Sequence, residues 1–387
     1  MKAYTILGTT VLILALITIS ITTATAISCN CGDICVNETG WWRDGGFHAN
    51  ATPIQAAVGN AAAGETICVK AGDYNEAIDI ETAHLTLAGE GADVVNVTSV
   101  GPGDHVFEVA DDYVNISGFN VTVATGNFGI YLNGADYCNI SDNTVSNNKY
   151  RGIYLDSSSN NILLNNTASN NKYYGIELWS SSNNTLTGNT ANSNGYDGIY
   201  LDSSSNNILL NNTASKNDYG IELRDSSNNT LTGNTASGNY DGIDLYDSSN
   251  NLIYNNYWDN TNNAYDDGSN RWNITTITAK PNIIGGPSIG GNYWSDYNGT
   301  DTDGDGLGEE TYDIGSGNFD YHPLCPPSSV KGDLNGDGII SPVDATIALR
   351  LAATDAHDDA ADVSGDGQVT SLDALMILQA AAGMVEL

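Results

Sequence analysis

The chain has 387 residues, with 12 Lys+Arg against 47 Asp+Glu and a formal charge of −35. At about 150 residues per domain its length suggests two or three domains, and a balance this acidic repels phosphate, excluding nucleic acid and anionic membrane as partners. Only 15% of the residues are charged; the polar remainder is mostly Asn, Ser, Thr, Gly and Tyr, which suits turns and narrow sheets and excludes a helical bundle.

Met1-Lys2 supplies a short positive region, and Ile6 to Ile21 is an apolar run broken only by Gly, Thr and Ser. Ala24-Thr25-Ala26 has the small-x-small pattern of a cleaved leader, so residues 1–26 are expected to be a signal peptide rather than an anchor helix. The mature chain is then expected to be exported, and to be held in place, if at all, by a partner. Cys29, Cys31, Cys35 and Cys68 cluster near its start, with Cys29, Cys31 and Cys35 in the segment 27–46, while Cys138 and Cys325 are isolated. An oxidising compartment favours disulfides in the cluster; the alternative, zinc, lacks a histidine at ligand spacing in that segment.

The centre of the chain repeats. Gly-Ile-x-Leu begins at Gly129, Gly152, Gly175, Gly198, Gly220 and Gly242, in steps of 23, 23, 23, 22 and 22 residues. An apolar position (Ile140, Leu163, Leu186, Leu209, Leu231, Ile253) and an asparagine position (Asn143, Asn166, Asn189, Asn212, Asn234, Asn256) keep the same step. Each copy holds brief alternating segments separated by Ser/Asn turns and is too small to bury its own apolar face, so it must stack on its neighbours. Stacked coils place Ile and Leu inside and Asn in amide ladders at the bends. This predicts a parallel β-helix; a leucine-rich horseshoe has a similar period but would need an LxxLxL consensus, which is absent. Upstream, Pro53-Ile-Gln-Ala-Ala-Val58 opens a small amphipathic helix suited to covering the open end of the solenoid.

The helix Pro53–Ala63, Gly64-Glu-Thr-Ile67, Gly72-Asp-Tyr74 and Leu85-Thr-Leu-Ala-Gly-Glu90 resemble the opening segment of right-handed β-helix proteins of the CASH/NosD-like family. Gly290-Gly-Asn-Tyr-Trp-Ser-Asp-Tyr297 followed by Asp301-Thr-Asp-Gly-Asp-Gly306 resembles the family's C-terminal signature, common in archaeal surface proteins. The resemblance covers roughly residues 47–325 and implies the right-handed winding. NosD-type proteins are linked to copper-site maturation, but copper takes His, Met or Cys. The histidines (His48, His84, His105, His322, His357) are scattered, and Met376 and Met384 lie beyond the rod, so copper does not carry over.

The x of Gly-Ile-x-Leu is expected to point outward, because its neighbours point in. Up the stack this reads Tyr131, Tyr154, Glu177, Tyr200, Glu222, Asp244, with a second aromatic set (Tyr150, Tyr174, Tyr196, Tyr219, Tyr240) just before the glycines. Rings and carboxylates so interleaved suit a polysaccharide; the same rings could equally serve only to stabilise the sheet. Glu177 and Glu222, two coils apart, are the candidate catalytic pair for glycoside hydrolysis. The Gly-His-Gly of polygalacturonase-like enzymes and the Asp-Pro-His-Asp of alginate epimerases do not occur, and the arginines of the repeat are Arg151 and Arg224.

After the linker 326–331 the pattern changes to loop and helix. Asp333, Asn335, Asp337 and Asp344 stand at loop positions 1, 3, 5 and 12, with Gly338 at 6 and the Ile339 carbonyl at 7. The spacing recurs 29 residues on as Asp362, Ser364, Asp366, Gln368 (by its carbonyl) and Asp373. Hard oxygens at this spacing suit Ca2+, and each loop leads into an apolar-periodic helix, Ala345–Ala353 and Ala374–Ala382. An EF-hand would have a helix before the loop and Glu at position 12. The pair resembles a dockerin over 332–387, which implies two calcium ions and docking onto a cohesin. Family contact positions fall on Pro342-Val343 and Ser371-Leu372, where the familiar Ser-Thr pair is absent. Asp301, Asp303 and Asp305 form a shorter ladder that could hold a third calcium, completed by Glu309 or Asp313.

These readings converge on an exported, calcium-dependent component of a cohesin–dockerin assembly whose β-helix binds polysaccharide. The alternatives are a polysaccharide-degrading hydrolase or lyase carried by the dockerin, and a non-catalytic envelope spacer.

Overall fold

A computed structural model describes residues 32–387 apart from 100, 102, 124–126, 279, 327–330, 336–338, 355, 357, 359 and 386. The expected leader 1–26, Cys29, Cys31, most of the linker and the ligand position Asp337 lie outside the described residues. Among them no helix is long and apolar enough to cross a membrane.

The repeats wind as a right-handed parallel β-helix with three faces. The Gly-Ile-x-Leu strands form the middle of a nine-stranded sheet running from Ile78–Ile80 to Asn262–Asp266. A twelve-stranded sheet runs from Leu252–Tyr254 back to an N-terminal hairpin, Gly40–Arg43 and Gly46–Ala49. The third face consists of a four-stranded and a three-stranded sheet, linked by single parallel bridges Thr144–Thr167–Thr190–Thr213–Thr235.

Alternation decides which side chains enter. Ile130, Ile153, Ile176, Ile199, Ile221 and Ile243 pair in register, as do the leucines two residues later, and all are fully buried. Stacking like on like removes their apolar surface from water at about 1.5–3 kcal/mol each.

The asparagine ladders satisfy the bends. In the run from Asn143 to Asn256, each Oδ1 after the first accepts both the backbone N–H and the side-chain Nδ2 of the coil before, at 2.9–3.2 Å for Asn143, Asn166 and Asn189 as donors, while Asn143 Oδ1 accepts the Phe119 N–H. Each Nδ2 also donates to a strand carbonyl, as Asn166 does to Ile140 O at 2.7 Å. A parallel ladder joins Asn148, Asn171, Asn194, Asn217 and Asn239. The bend beside the first ladder is left-handed (Asn165 φ 54°, Gly188 66°, Asn211 55°, Gly233 71°), which is why that position alternates between Asn and Gly.

Both ends are plugged. Helix α1, Pro53–Val58, buries Ile54, Ala57 and Val58 over the first coils, and the buried Glu76 accepts the N–H groups of Ile54 and Gln55 at 3.1 and 2.8 Å. It stops at Val58, short of the expected Ala63, where Gly59-Asn60 turns the chain. At the far end Asn292 completes the amide ladder by accepting from Asn256. Trp258, Trp272 and Trp294 fill the last coil, and the indole N–H groups of Trp272 and Trp294 donate to Asp266 and Asp320 at 2.8 and 3.0 Å. Cys35 and Cys68 are disulfide-bonded, in line with the disulfide reading; Cys138 and Cys325 are free and buried.

Beyond the rod, helices α2 (Pro342–Thr354) and α3 (Ser371–Ala381) pack through Ala345, Ala348, Val363, Ala374 and Ile377. Each begins three residues earlier than expected, so the position-12 aspartate lies inside the first turn. Pro342 suits the first helical position, and Thr370 with Asp373 forms a capping box.

Candidate functional site

The outer face of the nine-stranded sheet carries three ladders. The x positions continue in register as Glu108, Tyr131, Tyr154, Glu177, Tyr200, Glu222, Asp244 and Tyr265. They point out of the sheet as expected, yet Tyr154, Glu177, Tyr200, Glu222 and Asp244 are all buried. Neighbouring ladders roof them. Arg151 lies over the Tyr154 ring at 4.4 Å and grips Glu177 through Nε and Nη2; Arg224 pairs with Glu222 at 3.0 Å; and Tyr200 donates to Asp202 at 3.0 Å.

The second aromatic set is two ladders, not one. Tyr150, Tyr173, Tyr196, Asp218 and Tyr240 follow one another by backbone hydrogen bonds. Tyr150 stacks on Tyr173 at 5.4 Å and Tyr173 on Tyr196 at 5.2 Å. Tyr174 and Tyr219 belong to the other ladder, with Arg151, Asp197 and Asp241. Because Tyr173 and Tyr174 are adjacent, the spacing to the glycine alone merges the two. Stacking at about 5 Å also hides ring faces; the rings of this face that offer most surface are Trp179 (44%), Tyr196 (46%) and Tyr240 (62%), with Tyr265 (44%) at the far end of the x ladder. Trp179 lies in register between Asp156 and Asp202. Sequence reasoning missed it, although continuing the strand two residues past each x would have found it. A groove of about 250 Å3 opens among Tyr150, Arg151, Tyr173 and Tyr174.

The candidate catalytic pair Glu177 and Glu222 flanks Tyr200, each carboxylate tied to an arginine. Burial pushes both above the ordinary carboxylate range, and the arginines pull part of the way back. Asp197, also missed, is buried beside Glu222, Glu177 and Asp244 and is held well above its ordinary value, by burial first and then by those charges. Burial, with Asp241 and Glu222 near, pushes Asp244 up to about 7.

Of the short acidic ladder, Asp301 and Asp303 come together with Glu309, their carboxylate oxygens within 4.8 Å of one another. Asp301 accepts the N–H groups of Gly304 and Gly306 at 2.7 and 2.8 Å. Asp305 instead accepts from Leu307 N, and Asp313 from Gly315 N in a separate hairpin.

In the second C-terminal loop Asp362 accepts the N–H groups of Gly365, Asp366 and Gly367, while Asp373 accepts those of Ser364 and Thr370. Ser364 donates its hydroxyl to Asp362, and Gln368 N–H donates to Asp366 at 3.0 Å. The first loop matches it where described: Asp344 accepts from Leu334, Asn335 and Ser341. Position 12 thus ties the loop's start to its end, the arrangement a metal loop needs before an ion enters. Asp333, Asp344, Asp362 and Asp373 are buried, while the side chain of Ile339 is exposed.

The model of the family described as periplasmic copper-binding protein (NosD) matches residues 58–212 and 181–299, and that of the type I dockerin domain matches 331–380. No curated protein matches the chain. Solved structures similar to it include the pectate lyase Pel9A (18% identity, 57% of this chain and 66% of that chain, TM-score 0.44). An alginate lyase from Paenibacillus sp. str. FPU-7 is similar at 18% identity (56% and 94%, TM-score 0.44), and the Dettilon tailspike protein at 17% (58% and 52%, TM-score 0.47). The chain spans about two thirds of that pectate lyase and about half of that tailspike. At these scores the likenesses carry no argument about activity or substrate.

Among the described residues the donors do not fit copper. His48 stacks on Trp41, His84 on Tyr113, and His105 on Phe128 and Tyr131, each in a different part of the rod. Burial pushes the Cys138 thiol up to about 11, away from the thiolate that copper would take. Type I dockerin domains bind Ca2+ and dock onto cohesins, which makes this chain a component of a cohesin–dockerin assembly. It belongs to the NosD family, as a right-handed β-helix followed by a type I dockerin domain.

Proposed function

We propose that the chain is an exported subunit that binds polysaccharide along the outer face of its nine-stranded sheet and is held at a cell surface or scaffold by its dockerin. Two calcium ions in the dockerin loops and a third at Asp301, Asp303 and Glu309 complete it. The observation that carries the glycan reading is the set of exposed rings, Trp179, Tyr196 and Tyr240, above a floor of immobilised carboxylates. Rings with a free face pack on the apolar faces of pyranoses, and fixed carboxylates accept hydroxyl protons. The ladder from the half-buried Tyr131 through the buried Tyr154 to Asp244, with Tyr174 and Tyr219 beside it, serves as that floor.

A second reading, a polysaccharide-degrading enzyme, has one observation in its favour: Asp244 is held near pH 7, where an acid–base group works best. One experiment separates the readings. The full chain with calcium is incubated with plant, algal and envelope polysaccharides, and both retention and released reducing or unsaturated ends are recorded. Retention without products supports the binding subunit. Products abolished by Glu177→Gln, Glu222→Gln or Asp244→Asn make it an enzyme. Neither retention nor products leaves a structural spacer.

A further inference from the structure

The chain has only 12 Lys+Arg against 47 Asp+Glu, yet one cation lines a groove and two more stand beside the tyrosines that wall it. Its lining is Tyr150, Arg151, Tyr173 and Tyr174, around about 250 Å3. Lys149 Nζ stands 5.7 Å from the centre of the Tyr150 ring, and Lys172 Nζ stands 5.3 Å from that of Tyr173. The two lysines hold the same position in successive coils, and both are exposed. The ion pairs among the described residues are Arg43–Glu65, Lys70–Glu90, Arg151–Glu177 and Arg224–Glu222, so neither lysine is neutralised by a carboxylate. Arg151 gives Nε and Nη2 to Glu177 and keeps Nη1 clear of any hydrogen bond among the described residues. Farther along the same face the charge reverses, through Asp197, Glu222, Asp241 and Asp244.

We infer that this groove is a subsite for a sugar ring bearing an anionic substituent, a carboxylate or a sulfate, within an acidic polysaccharide. The assignment rests on the glycan-binding reading above and narrows its substrate class. Stacked tyrosines wall the groove, and their edges and hydroxyls meet the ring hydroxyls. The two ammonium groups and the spare guanidinium nitrogen supply donors to the anion. Lys216, Arg271, Lys280, Lys331 and Arg350 are also in none of those ion pairs; what sets Lys149 and Lys172 apart is their place one coil apart, each beside a ring of the stacked tyrosines that wall the groove. The Debye length is about 8 Å at physiological ionic strength. Asp197 stands one coil from Tyr174, inside that length, whereas Glu222, Asp241 and Asp244 lie two or three coils on, about 10–14 Å away, and are screened from the groove.

The test titrates the full chain, with calcium, against oligogalacturonides, sulfated galactan oligosaccharides and neutral β-glucan oligosaccharides by calorimetry. An acidic oligosaccharide is expected to bind in preference to the β-glucan, and the arm that binds identifies the substituent. The double variant Lys149→Gln/Lys172→Gln should weaken that binding about five- to tenfold and leave the unfolding midpoint unchanged, because both side chains are exposed. Preference for the β-glucan, or acidic binding untouched by the double variant, overturns the subsite and leaves glycan binding standing. Binding to none of the three, nor to any polysaccharide of the wider panel, overturns both.

Discussion

Arg151 holds Glu177 through two of its nitrogens while its guanidinium lies 4.4 Å from the ring centre of Tyr154 on the same coil. Glu177 is fully buried, so this arginine is its principal compensation. Removing one partner of a buried pair leaves an uncompensated charge, whereas replacing both with apolar groups can be nearly neutral. Arg151→Met is expected to cost about 3–5 kcal/mol, and Arg151→Met/Glu177→Met to recover most of it. Urea unfolding of the three proteins checks this; a double variant no more stable than the single one means that the arginine acts by packing alone.

The asparagine ladder is the second load on the fold. Asn189 Oδ1 accepts two hydrogen bonds from Asn166, and Asn189 Nδ2 donates to both Leu163 O and Asn212 Oδ1. Asn189→Leu takes these buried partners from the Asn166 N–H, from one of the two Asn166 Nδ2 hydrogens and from the Leu163 carbonyl, at about 1–3 kcal/mol each before relaxation. A loss of roughly 3 kcal/mol is expected. Asn165→Ala, at a left-handed bend on the exposed side, should cost about 1–2 kcal/mol through its backbone alone. Thermal melts rank the two, and the reverse order would mean that bend geometry outweighs the buried amides.

The winding was legible because one copy is one coil: stacking puts every Ile and Leu above its like, and the sequence repeats what the stack repeats. The dockerin was legible because its acidic loop positions keep a fixed spacing within one short segment and recur in a second. Lateral packing was not. Alternation says that Glu177 points away from the core, but not that Arg151, 26 residues earlier, covers it. The two tyrosine ladders merged for a related reason: Tyr173 and Tyr174 are both tyrosines, and only the backbone register separates them. The helix starts were placed late because Asp344 and Asp373 read as loop ligands, although each also caps the helix it opens. The Asp301 cluster chose Glu309 over Asp313 because the chain folds back from Gly306, a step that spacing does not contain.

Asp244 gives the rod a pH dependence of definite sign. Burial, then Asp241 and Glu222, raise it to about 7, against about 4 for an aspartate in an unfolded chain. Between these values the folded state holds a proton that the unfolded state has lost. The stabilisation is therefore complete below about pH 4 and is lost as pH rises through about 7. Asp197 acts in the same direction. The melting temperature of the rod should fall from pH 5 to pH 8, and Asp244→Asn should flatten part of that slope. An unchanged slope in the variant would assign the proton elsewhere.

Loss of calcium should unfold one part of the chain only, and the tryptophans report on the other. All six lie between Trp41 and Trp294, outside the dockerin match at 331–380. Among the described residues the core around α2 and α3 is five buried side chains with Leu334, Ile340 and Met376 packed against them, too little apolar area to hold two helices and two acidic loops without an ion. Chelation is expected to remove most of the helical circular dichroism and abolish cohesin binding, while tryptophan fluorescence stays native. Asp362→Ala should act similarly through the second loop, because Asp362 collects three backbone N–H groups and stands at position 1. If chelation also shifted the tryptophan spectrum, the site at Asp301, Asp303 and Glu309 would be the place to look, since Gly306 packs against Pro287 on the segment leading to Trp294. Asp303→Asn should then remove the fluorescence change and spare the helical signal, which separates the third ion from the first two.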